Sequence, residues 1–105
     1  MAKIPLMEIL KPYRAKIDSL DDEIVDLLVL RESLIREVAD LKTANNIPAV
    51  LQDRVDEVRE RCIARAMEKG MDGDYVRQIY IKIIKLSCDL EEEIKSDDKK
   101  RAGNI

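Results

Sequence analysis

Ile17-Asp18-Ser19-Leu20-Asp21-Asp22-Glu23-Ile24-Val25-Asp26-Leu27-Leu28-Val29-Leu30-Arg31-Glu32-Ser33-Leu34-Ile35-Arg36-Glu37-Val38-Ala39-Asp40-Leu41-Lys42 is the stretch that decides the fold. Apolar side chains recur at Ile17, Leu20, Ile24, Leu27, Leu34, Val38 and Leu41. Steps of three and four residues, with one of seven from Leu27 to Leu34, bring them onto one stripe of a helix, whereas a strand would need a step of two. The pattern is that of a heptad seam. Outward from it, the next breaks are Pro12 and the Asn45-Asn46-Ile47-Pro48 segment. A first helix is therefore expected from about Pro12, in its first turn, to Ala44. At 1.5 Å per residue it is ~50 Å long. A compact monomer of 105 residues has a radius of gyration of only ~13 Å. A seam of that length calls for a partner chain.

Two shorter helices follow. The second is expected from about Leu51 to Lys69, with Val55, Val58, Cys62 and Ala66 at helical spacing and Gly70 as its stop. The third is expected from about Gly73 to Lys95, with Asp72 or Asp74 as N-cap and a seam of Val76, Ile79, Ile83, Leu86, Leu90 and Ile94. The fold class is all-α: three helices per chain, one long and two shorter, with a partner chain to cover the long seam. Residues 1–95 read as a single domain. Residues 96–105 carry little to bury and read as a charged, disordered tail.

Composition removes several functions. With no His in 105 residues, Ser-His and Cys-His nucleophile pairs are absent and the commonest metal ligand is missing. Two Cys do not complete a zinc site without His, although carboxylates could in principle help; no cofactor or metal is expected. A net charge of −3, with aromatics at 3%, argues against nucleic-acid binding by charge or by base stacking. No apolar run reaches the roughly 18 residues of a membrane span. Cys62 and Cys88 read as free thiols of a cytoplasmic protein.

Three cations break the apolar pattern of the first helix. Arg31 sits between Leu27 and Leu34 in the seam, where an unpaired guanidinium is costly. Arg14 and Lys42 fall within about 20° of it around the axis, so the three form one stripe. Arg31 and Lys42 lie ~16 Å apart along the axis, within joint reach of one small dianion; Arg14 lies ~25 Å from Arg31 and reaches such a site only from a second, antiparallel chain. Arg54 falls near the start of the second helix, where backbone N–H groups also favour anions. Ser87 and Glu91 lie one turn apart beside the third seam. Each of these residues also has a plain structural role open to it: ion pair, solvated edge or helix-facing hydroxyl.

From about Leu10 to Glu93 the chain resembles the AroQ-class, all-helical chorismate mutases. The resemblance is carried by Tyr13-Arg14-Ala15-Lys16-Ile17-Asp18-Ser19-Leu20-Asp21, Leu28-Val29-Leu30-Arg31, Val38-Ala39-Asp40-Leu41-Lys42, Ile47-Pro48, Asp53-Arg54, Met71-Asp72 and Tyr75. It implies an intertwined dimer with two equivalent sites, and rearrangement of chorismate to prephenate without nucleophile, metal or cofactor. It implies that Arg14 of the second chain, Arg31 and Arg54 hold the substrate carboxylates. Lys42 would donate to the ether oxygen, and Ser87 would contact a carboxylate or line the pocket.

Three positions depart from the family pattern. Glu91 stands where many bacterial members have Gln, and a glutamate donates only when protonated. Burial and the substrate's negative charge are expected to favour that form. Val55 stands where typical members have a Glu that accepts the ring hydroxyl, and Leu51 replaces a polar residue nearby. These changes keep 4-amino-4-deoxychorismate mutase and isochorismate-pyruvate lyase, the latter also with an Arg-Val pair, as alternatives. A non-catalytic helical dimerisation module is the alternative of another class.

Overall fold

The computed structural model describes residues 6–103, and their regular structure is entirely α-helical. Helix α1 spans Leu6–Ala44, α2 Gln52–Glu68 and α3 Gly73–Gly103. The chain divides after Ser33 into two compact units. The first is the N-terminal part of α1; the second comprises the rest of α1 with α2 and α3.

Helix α1 starts earlier than expected, so Pro12 lies inside it rather than in its first turn. The missing N–H withdraws only the bond to the Glu8 carbonyl, close to the helix start, where the loss is smallest. In this first unit Ile17, Leu20, Ile24 and Leu27 are each more than half exposed.

In the second unit, the last part of α1 presents two faces. Ala39 is buried, with Ile35, Lys42 and Thr43 half-buried beside it. Leu34 and Leu41, which continue the heptad seam, are more than half exposed. Thus the seam read from the sequence is uncovered in both units, and a different stripe of α1 faces the core of the second.

Helix α2 packs against α3, burying Ile63, Ala66 and Ile84. The turn between them is closed in a specific way. Lys69 is the C-cap, Gly70 adopts a left-handed φ of 83°, the Gly70 N–H bonds the Met67 carbonyl at 3.1 Å, and the Met71 N–H bonds the Ala66 carbonyl at 2.9 Å. This is a Schellman closure, and it needs a residue that tolerates positive φ. Asp72 then caps α3, its Oδ1 accepting the Asp74 N–H at 3.1 Å. At Gly73 a Cβ would stand 3.1 Å from Ile63 Cγ2 and 3.2 Å from Met67 Sδ, so the helices approach closely here.

Helix α3 does not stop at Lys95 but continues to Gly103. Lys and Arg are good helix formers, and Lys100 and Arg101 lie in the last turn, where cations suit the helix dipole. Residues 104 and 105 of the expected tail lie outside the described residues. The inward face of α3 also differs from expectation. Val76, Ile83, Leu90 and Ile94 are half-buried as read, but Ile79 and Leu86 are exposed, and Ile84 and Glu91 are buried. Apolar residues nearly encircle α3 between Ile79 and Leu86, so periodicity alone does not choose the face.

Candidate active site

Lys42 lies in the last turn of α1, where its charge suits the carboxyl end of the helix. Its Nζ is 2.9 Å from Glu91 Oε1 and donates to the Ala49 carbonyl at 2.9 Å. Glu91, on α3, is only 6% exposed. Oε1 receives no aligned hydrogen bond, so the contact with Lys42 is charge to charge. A buried pair of this kind gains little net stability, because desolvation offsets attraction. Its chemical consequence is a fixed ammonium beside a carboxyl oxygen that retains acceptor capacity.

Ser87 lies one turn before Glu91 on the same face, and its Oγ donates to the Ile83 carbonyl at 3.0 Å. Thr43 makes the matching bond on α1, to the Ala39 carbonyl at 2.9 Å. The loop between α1 and α2 supplies backbone acceptors: the Ala49 carbonyl to Lys42, and the Ile47 carbonyl to Lys95 Nζ at 2.8 Å.

Leu51 is the N-cap of α2, extended and without a side-chain cap bond. Its carbonyl accepts the N–H groups of Arg54 and Val55, each at 3.1 Å. Arg54 is exposed and pairs with Glu57 on its own helix. Val55 is half-buried and lines a groove of about 210 Å³ with Val50, Gln52, Arg59, Ile84 and Cys88. Gln52 and Arg59 both donate to Asp56 on the same helix, each at 3.0 Å. Those bonds hold the Asp56 carboxyl below its usual range and push the Arg59 guanidinium up. Burial, then the charge of Glu91, pushes the Cys88 thiol up. Cys62 and Cys88 are free and half-buried.

Arg14 and Arg31 belong to the first unit. Arg14 is exposed, with Nη1 3.3 Å from Met7 Sδ. Arg31 is half-buried. Within the second unit, then, the structure brings Lys42 and Glu91 into contact with Ser87 one turn away, and gives Arg54 a partner on its own helix. The sequence reading missed the two loop carbonyls and Lys95. A backbone acceptor has no residue signature; Lys95, one turn from Glu91 at i+4, was the available clue. Among the described residues no cluster of His, Cys, Asp or Glu is placed to hold a metal ion, and no helix is long and apolar enough to cross a membrane.

Comparison with known proteins adds an independent finding. The family model "Chorismate mutase type II" matches residues 13–92. A bifunctional chorismate mutase/prephenate dehydratase of Aquifex aeolicus is 33% identical over 93 residues, covering 85% of this chain and 25% of that protein. A 4-amino-4-deoxychorismate mutase of Streptomyces venezuelae is 29% identical over 87 residues, covering 83% of this chain and 84% of that protein. A 4-amino-4-deoxychorismate mutase of Streptomyces pristinaespiralis is 26% identical over 84 residues, covering 80% and 65%. This chain thus spans a quarter of the Aquifex protein and most of the Streptomyces venezuelae one.

Proposed function

Because the chain belongs to the type II chorismate mutase family, we propose that it rearranges chorismate to prephenate as a homodimer with two shared sites. The observation that carries the proposal is the buried contact between Lys42 and Glu91, at the two positions that the resemblance gives to the reacting oxygen. In the reaction the ether C–O bond breaks as a C–C bond forms within one molecule, so no proton or electron enters or leaves. The protein's task is to hold the substrate in its compact diaxial shape and to stabilise developing charge.

Arg31 and Arg54 of one chain, with Arg14 of the second, clamp the carboxylates; forked guanidiniums suit that geometry. Lys42 directs one ammonium N–H to the Ala49 carbonyl and has others to offer, and it stabilises the ether oxygen as negative charge grows there. Glu91 adds a second donor when it carries a proton. Ser87 lines the pocket, and Leu51 and Val55 lie toward the ring hydroxyl, where Val55 offers no acceptor. The uncovered seam of Leu20, Ile24, Leu27, Leu34 and Leu41 supports pairing of the first helices of two chains. The free thiols suit a reducing compartment, the cytoplasm.

A second reading is mutase activity on 4-amino-4-deoxychorismate. It is favoured by the Streptomyces venezuelae relative, of which this chain spans 84%, and by Val55. Cleavage of isochorismate is a third product pattern that one assay separates from both. A non-catalytic dimerisation module is tested by melting with a dicarboxylate mimic of the transition state. Binding to the folded state alone at ~100-fold the dissociation constant raises the midpoint by on the order of 10 °C. No shift at saturating mimic favours the module.

A further inference from the structure

The segment 45–51 passes from α1 to α2 and is held on both sides. The Ile47 N–H bonds the Lys42 carbonyl of α1 at 2.8 Å, while the Ile47 carbonyl accepts Lys95 Nζ of α3 at 2.8 Å. Two residues on, the Ala49 carbonyl accepts Lys42 Nζ at 2.9 Å. Lys95 stands one turn beyond Glu91, and Glu91 meets Lys42 at 2.9 Å. The contacts close a ring: Lys42, the Ala49 carbonyl, the loop backbone, the Ile47 carbonyl, Lys95, one turn of α3, Glu91, and back to Lys42.

Ala49 is buried, but its neighbours in the loop are less supported by packing. A groove of about 450 Å³ separates Pro48, Ala49 and Val50 from Glu92 and Lys99 of α3, with Lys95 in its wall. Ile47 and Val50 are exposed. Where side-chain packing is thin, a single cross-element hydrogen bond has leverage over backbone position, and small displacements of a group beside a reacting atom are costly.

We propose that Lys95 is a positioning residue for Lys42. By holding the Ile47 carbonyl against α3 it fixes the loop, and so the Ala49 carbonyl that aims the Lys42 ammonium. The proposal rests on the assignment of Lys42 to the reacting oxygen; Lys95 itself touches no substrate.

The test uses the full chain with Lys95→Met, which keeps the stem and removes the ammonium, and Lys95→Arg, which keeps a cationic donor. Two readouts are compared. One is the rate at which an N-hydroxysuccinimide acetate labels Lys42, read by peptide mass spectrometry against Lys85. The other is kcat and KM on chorismate. Loss of one hydrogen bond predicts about three- to tenfold faster labelling of Lys42 in Lys95→Met, with Lys85 unchanged and the arginine variant near wild type. It predicts a fall in kcat of about the same factor with KM little altered. Unchanged labelling of Lys42 overturns the proposal, as does a change confined to KM. If the wild-type chain leaves chorismate intact, the functional reading fails by itself, and the labelling still decides whether Lys95 fixes Lys42.

Discussion

Lys42 Nζ and Glu91 Oε1 stand 2.9 Å apart, joining the last turn of α1 to α3 where Glu91 is buried. The pair links stability to chemistry, because each group leaves the other an unpaired buried charge when it is removed.

Lys42→Ala therefore has two separable effects. It strands the Glu91 carboxyl, and the folded chain loses about 3 kcal/mol in a denaturant titration at neutral pH. It also withdraws the cation from the ether oxygen, and kcat of the folded fraction falls by about a hundredfold or more with KM little changed. An effect on KM alone contradicts the role given to Lys42.

Arg31→Ala separates clamp from scaffold. Arg31 interrupts the heptad seam and is half-buried. The expected variant is a folded dimer by circular dichroism and sedimentation, with turnover reduced by at least about a hundredfold. Unfolding, with the specific activity of the folded fraction intact, makes Arg31 structural.

The exposed seam predicts the assembly. Leu20, Ile24, Leu27, Leu34 and Leu41 are each more than half exposed, and a charge placed among them opposes burial against a second copy. Ile24→Lys is expected to move the sedimentation profile from dimer toward monomer, with activity falling in step with the loss of dimer. A wild-type chain that sediments as a monomer at micromolar concentration refutes the shared site.

The sequence made some features legible because their causes are local. Gly70 and Asp72 declare the turn between α2 and α3 by backbone chemistry that few other residues supply, and both do what their types suggest. The long first helix was legible in the spacing from Ile17 to Leu41. What spacing does not carry is which of several apolar stripes meets a neighbour. In α1 the stripe of Ile35, Ala39, Lys42 and Thr43 turns inward, and in α3 Ile84 and Glu91 displace Ile79 and Leu86. Helix ends at Leu6 and Gly103 were missed because Pro12 and a charged segment read as breaks, although one lost bond near a helix start and a run of Lys and Arg at a helix end are both tolerable. In the candidate site, Lys42 and Glu91 stood out as polar residues beside apolar seams. Their backbone supports, Ala49 and Ile47, did not, since every residue carries a carbonyl.

The proposed activity is tested by incubating the purified chain, and separately Glu91→Gln, with chorismate at pH 7.5 and at pH 6.5 and identifying the product. Prephenate is the expected product from the wild-type chain, and Glu91→Gln, whose amide donates without gaining a proton, is expected to be at least as fast. Chorismate left intact at both pH values, with the chain folded and dimeric, contradicts the proposed substrate. A folded but inactive Glu91→Gln contradicts the donor role given to Glu91.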